Sequence, residues 1–197
     1  MSRWICAQIA LILIASTATA APRVKAKPTA ATFFPTAVGT TWVYRDGDRR
    51  TTEVILAVED TDDGRRLTVG WLQGWNTFST FELLVTRREL FLVRTGNLTW
   101  TPPLSLLRTD VRAGETWGPA ADESALTDGI NRVGEREEVE VPAGRFEATP
   151  VRTASRGFLG GNTVEPTMWY SPGVGLVKAD YGRTTRVLIA FYPGRSS

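Results

Sequence analysis

The chain has 197 residues, a single cysteine, no histidine, and 23 basic against 21 acidic side chains for a formal net charge of +2. Without imidazole it lacks the usual general base, every Ser-His-Asp or Cys-His arrangement and the commonest transition-metal ligand. Nucleophilic hydrolysis, redox catalysis and zinc, copper or iron sites are therefore disfavoured together. The basic residues are scattered among acids rather than gathered on one stretch, which supplies no concentrated basic face for nucleic acid.

The N-terminus begins with Arg3, continues through the apolar run Ile9 to Ala15 and ends in the small residues Ser16 to Ala21. This is the order of a secretory signal peptide, with Ala18-Thr19-Ala20 as the cleavage box, and it predicts a signal segment over residues 1–20. The apolar run is well short of the ~20 residues a spanning helix needs, and no later run is longer. The expected product is thus periplasmic or extracellular, with no stable membrane span after cleavage. Cys6 precedes the apolar run, so it is not placed to become the acylated first residue of a lipoprotein, and the mature chain is expected to have no disulfide. It must then be stabilised by a core, which a chain of this length can build.

Residues 21–35 are rich in Ala, Pro, Lys and Thr without an apolar period, as expected of a flexible arm. A single β-rich domain is expected over residues 36–194, where short β-branched and aromatic runs are punctuated by Gly, Asp and Pro. Thr41 to Arg45 and Thr52 to Glu59 flank Asp46-Gly47-Asp48, a hairpin signal. Leu67 to Leu72 follows the turn Asp62-Asp63-Gly64. Thr77 to Thr86 and Glu89 to Arg94 form the next pair, and the alternation of Phe81, Leu83 and Val85 with Thr80, Glu82 and Leu84 predicts a half-buried sheet. Thr101 to Asp128 has no clear period, and a long loop with short pieces of strand or helix is expected there. Glu138 to Val141 and Phe146 to Thr153 surround Pro142-Ala143-Gly144, a type I turn closed by a glycine bulge. Thr167 to Tyr170, Gly175 to Tyr181 and Thr184 to Tyr192 close the set. About nine or ten strands without crossover helices predict an all-β fold, an antiparallel meander curled into a partial or closed barrel, with a two-sheet β-sandwich as the alternative.

Few residues point to chemistry. Glu53, Glu82, Glu89 and Asp110 could furnish a carboxylate pair for glycoside hydrolysis, although acids on solvated strand faces are the plainer reading. Asp60, Asp62 and Asp63 before Gly64 depart from the calcium-loop spacing and lack its closing Glu. Gly157 to Gly161 lacks the Lys-Ser/Thr ending of a phosphate loop. Glu135, Glu137, Glu138 and Glu140 describe a charged edge that resists aggregation. Asn97-Leu98-Thr99 fits the N-glycosylation pattern. No cofactor and no metal are expected. The positive signal is tryptophan: Trp42, Trp71, Trp75, Trp100, Trp117 and Trp169 follow the signal segment. Large aromatics fill cores, line apolar cavities or form sugar platforms. Trp71 and Trp75, near a strand end beside Gly74, are expected to be exposed, and with Trp100 they are the candidate ligand-binding residues.

Four segments carry a resemblance: Phe34 to Tyr44 (FPTAVGTTWVY), Ala113 to Trp117 (AGETW), Val141 to Phe146 (VPAGRF) and Trp169 to Lys178 (WYSPGVGLVK). Together they resemble a group of uncharacterised bacterial secreted proteins and lipoproteins, similar to curved envelope domains of the LolA-like or DUF3108-like kind. The resemblance implies a concave apolar sheet face. The expected function is a non-catalytic exported module that binds an apolar ligand, a lipid or an envelope partner. A carbohydrate-binding or carboxylate-dependent glycan-active protein is the first alternative, and a structural assembly protein the second.

Overall fold

The computed structural model describes residues 33–73, 76–118, 129–155 and 165–195. The signal segment, the arm up to residue 32, Trp75 and the Gly157 to Gly161 stretch lie outside the described residues. Within them run thirteen strands: β1 Thr41–Asp46, β2 Arg49–Thr61, β3 Gly64–Gln73, β4 Asn76–Val85, β5 Glu89–Thr95, β6 Leu98–Arg108, β7 Thr116–Trp117, β8 Gly129–Val133, β9 Glu137–Val141, β10 Gly144–Ser155, β11 Thr167–Ser171, β12 Gly175–Asp180 and β13 Thr185–Tyr192. All pairings are antiparallel, in the order β6-β5-β4-β3-β2-β1-β13-β12-β11-β10-β8-β7, with β9 pairing β10 off this path. The all-β meander is therefore as expected, and a two-sheet sandwich is not.

Connectivity forces this sheet to curl. β6 and β7 are its two edges, yet only residues 109–115 lie between them in the chain. Laid flat, twelve strands would hold those edges about 50 Å apart at ~4.8 Å per strand, whereas that connection reaches roughly 28 Å fully extended. Register shifts in the ladders, at Val43/Tyr44, Ile55/Ala57, Trp71/Leu72, Glu82/Leu83 and Trp169/Tyr170, supply the bend, because an extra residue on one strand increases local twist and coiling. The sheet is not closed into a barrel, since among the described residues no backbone ladder joins its edges. Side chains meet there instead. Asn131 on β8 donates to the Ser105 carbonyl on β6 at 2.8 Å and accepts from Thr153 at 2.6 Å, while the Arg108 guanidinium lies 5.9 Å from the centroid of the Trp117 ring.

One correction concerns the stretch from Thr101, expected to be mainly loop. Its first part is the continuation of β6 to Arg108. Pro102 and Pro103 are tolerated because β6 is an edge strand. The β5–β6 ladder runs through Arg94–Thr99, shifts, and resumes at Leu92–Leu104, stepping around both prolines.

The inner face carries the core. Trp42 and Tyr44 of β1, Leu67 and Val69 of β3, Leu83 and Val85 of β4, Val177 of β12 and Leu188 of β13 are all buried. The two aromatics keep their polar atoms satisfied across the interior: Trp42 Nε1 donates to the Val174 carbonyl at 2.6 Å and Tyr44 Oη to the Leu176 carbonyl at 2.9 Å. Phe34 packs on Trp42 with centroids 5.5 Å apart, and Gly173 N–H donates to the Phe33 carbonyl at 3.0 Å. The packed body thus reaches back to Phe33. Gly175 permits this contact: its φ is +89°, and a Cβ there would sit 2.7 Å from the Phe34 ring. On β9, Val139 and Val141 face in, while Glu138 and Glu140 face out beside Arg145 at 3.8 and 3.3 Å, the charged edge expected from the sequence.

Candidate functional site

Curling leaves space on the concave side. A cavity of about 280 Å³ lies between the inner faces of β1–β6 and β11–β13, just under the ~300–1,000 Å³ common for small-molecule sites. Its body is apolar, with Phe81, Leu83, Leu90, Leu92, Leu106 and Met168 among its walls. These alternate with outward residues along their strands, so the strand period that builds the core also builds the cavity.

One end is polar. Glu53 (β2), Trp71 (β3), Tyr181 (just after β12) and Arg186 (β13) line it, with Tyr44 beneath. Glu53 and Arg186 are each only 8% exposed, and a charge so buried requires a partner. Arg186 Nη2 donates to Glu53 Oε1 at 2.6 Å and to Thr51 Oγ1 at 3.0 Å, and Nε faces Asp46 Oδ2 at 3.6 Å. The guanidinium lies 4.1 Å from the Tyr44 ring centroid, a cation–π arrangement. Burial alone would lower the Arg186 pKa, but Glu53, Tyr44, Asp46 and Tyr181 outweigh it and hold it above its ordinary value. Burial pushes the Tyr44 hydroxyl well up, with Glu53 adding to the effect, and burial likewise raises Tyr170 and Tyr181. The phenols stay neutral and the guanidinium stays charged.

Of the three tryptophans singled out from sequence, Trp71 lines the cavity and is 40% exposed, so the cavity reaches the surface at its ring. Its Nε1 donates to Glu53 Oε1 at 2.6 Å, on the same oxygen that receives Arg186. Trp100 is half-buried on β6, donates to Thr95 Oγ1 at 3.3 Å and is not among the lining residues. Trp75 lies outside the described residues. Arg186, Tyr44 and Tyr181 were not singled out from sequence, because an arginine in a strand near the C-terminus carries no local sign that it will meet Glu53, 133 positions earlier.

The four carboxylates considered for glycoside chemistry all sit against arginines. Glu53 pairs with Arg186, Glu82 with Arg94 at 2.6 Å and Arg66 at 3.6 Å, Glu89 with Arg108 at 3.1 Å, and Asp110 with Arg88 at 3.5 Å. Among the described residues no group of three or more Asp, Glu, His or Cys side chains could hold a metal ion, and Asp62-Asp63 is the two-residue turn between β2 and β3.

No protein-family model matches the chain, and no curated protein matches it. Two solved structures share the fold. One is a candidate lipoprotein of Parabacteroides distasonis, 16% identical with a TM-score of 0.51, and the other is a candidate exported protein with a YmcC-like fold from Bacteroides fragilis, 12% identical with a TM-score of 0.54. Each comparison covers 82% of this chain and 99% of the other, so the curled antiparallel sheet described above is a fold that this chain shares with both along nearly their whole length.

Proposed function

We propose that this protein is an exported, non-catalytic module that holds an apolar, lipid-like ligand in the cavity of its curled sheet. The observation that carries the reading is the cavity itself: an apolar chamber of about 280 Å³ that opens beside a 40% exposed tryptophan. Buried apolar space of this size that communicates with water is filled favourably by an apolar ligand. Export is supported by the signal-like N-terminus and by the exported and lipoprotein descriptions of the two structural neighbours. The four sequence motifs suggest a finer relationship with LolA-like or DUF3108-like envelope domains. A non-catalytic role is favoured because Glu53, Glu82, Glu89 and Asp110 are each engaged by arginine, so that none of these four is a free acid or base for glycoside hydrolysis.

Trp71 serves in this reading as the cavity mouth. Native mass spectrometry of gently purified protein should reveal a co-purifying or added lipid-like ligand, and the fluorescent apolar probe N-phenyl-1-naphthylamine should bind with an enhanced signal. Trp71→Ala should weaken probe binding by about tenfold, the effect of losing ~1.4 kcal/mol of contact. A protein that takes up neither lipid nor probe does not have this function.

A further inference from the structure

We infer that the ligand's polar end is uncharged, a hydroxyl-bearing head such as that of a fatty alcohol or acylglycerol, and that the cavity discriminates against fatty acids and alkylamines. The inference rests on the ligand-binding reading above and extends it to the chemistry of the head group.

The argument begins from the charges at the polar end. The two ionised groups that line the cavity, Glu53 and Arg186, are already paired with each other at 2.6 Å. The guanidinium already serves two carboxylates, and its Nε, which makes no hydrogen bond, is closed off from solvent. Its Nη2 is shared between Thr51 and Glu53, its Nε is turned toward Asp46, and the Tyr44 ring lies against it. Behind the pair, Asp46 adds a second carboxylate whose salt-bridge partner among the described residues is that same arginine. A fatty acid would bring a third carboxylate to a cluster in which two carboxylates already share one guanidinium, and like charges brought together out of water are strongly disfavoured. An ammonium would meet Arg186 and would have to break the Glu53–Arg186 pair to gain a counter-ion of its own.

An uncharged hydroxyl meets neither obstacle. The Glu53 carboxylate can accept its proton, and the Tyr181 hydroxyl, on the lining of the same cavity, can donate to its oxygen. The apolar remainder then lies along Phe81, Leu83, Leu92 and Leu106.

The test is a matched series of 1-decanol, decanoate and decylammonium, each titrated below its aggregation limit at pH 8 against the full mature protein, by displacement of N-phenyl-1-naphthylamine. Decanol is expected to bind at least about tenfold more tightly than either charged homologue, a difference of ~1.4 kcal/mol. Asp46→Asn, which removes the second carboxylate of the cluster at a residue that does not line the cavity, should tighten decanoate by about tenfold while changing decanol by less than about threefold. Decanoate or decylammonium binding as tightly as decanol overturns the head-group inference and leaves the apolar cavity standing. Failure of all three to displace the probe overturns the cavity reading and the inference with it.

Discussion

Arg186→Met should be among the most damaging substitutions in the domain, although it exchanges one long flexible side chain for another. Its side chain is 9% exposed and that of Glu53 10%. Removing one partner of a buried pair typically costs ~3–5 kcal/mol, because the other charge is left uncompensated. Here Glu53 keeps the Trp71 indole as a donor at 2.6 Å, which softens the loss, and Asp46 is open enough to be rehydrated, its side chain 31% exposed. The expected cost is therefore at the lower end, about 3 kcal/mol, which lowers the midpoint of thermal unfolding by roughly 6–12 °C in a domain of this size. Glu53→Gln retains the shape and leaves Arg186 facing Asp46, and should cost ~1–2 kcal/mol. The double variant should cost less than the two singles combined by at least ~1.5 kcal/mol, since each single leaves the other charge exposed to the same deficit. Urea unfolding followed by tryptophan fluorescence measures all three. A loss below ~1 kcal/mol for Arg186→Met, with the two substitutions additive, would refute the view that this pair organises the polar end.

Gly175→Ala combines a positive φ with a Cβ 2.7 Å from the Phe34 ring, so it should lower stability by at least ~2 kcal/mol and expose Phe34 to limited proteolysis at the N-terminal side. Leu188→Ala, at a fully buried position on β13, should cost ~2–5 kcal/mol in chemical denaturation, whereas Leu56→Ala, 43% exposed, should stay within ~0.5 kcal/mol. Alkali should unfold the protein progressively. Tyr44 and Tyr170 have folded-state pKa values raised by burial, so above about pH 10 the unfolded chain gives up phenolic protons that the folded chain retains. Their contribution is fully present below pH ~10 and falls by about 2.7 kcal/mol per pH unit for the two together until the folded phenols ionise. A stability profile that stays flat from pH 9.5 to 11 would contradict this.

Local chemistry made much of the fold legible. The Asp46-Gly47 and Pro142-Ala143-Gly144 signals sit at hairpins that the structure contains, with Gly47 and Gly144 at positive φ. The alternation of Phe81, Leu83 and Val85 points to the face that lines the cavity or core. What escaped was set by distant pairing. β8 looks unremarkable until Asn131 is seen to bridge Thr153 and Ser105. The polar end of the cavity was visible only in part, through Trp71, because Glu53 and Arg186 acquire meaning from the β1–β2 and β1–β13 ladders, which set Glu53 opposite Trp42 and Arg186 opposite Asp46 on either side of β1. Read alone, Glu53 is one acid among many. Trp100 shows the opposite limit: a strand-borne indole two residues beyond Leu98 has the composition of a cavity residue, but its register places it beside Thr95 instead.

The prolines of β6 explain why the sheet curls fully yet stops short of a barrel. Successive strand residues point their N–H groups to opposite sides, so a Pro-Pro pair removes one donor toward β5 and one toward the open edge. Toward β5 the ladder absorbs the loss with its shift between Leu92 and Arg94. Toward the other edge no backbone ladder forms among the described residues, and an exposed strand edge left in that state would invite pairing with another chain. The Asn131 amide takes the Ser105 carbonyl, and Trp117 meets Arg108, so side chains occupy the ground where a ladder would lie. Because Leu106, on this same strand, forms part of the cavity wall, the seam and the chamber share one strand. A contact made by a few side chains is weaker and more local than a backbone ladder, and the wall at β6 is consequently the part of the chamber whose position depends least on the rest of the sheet.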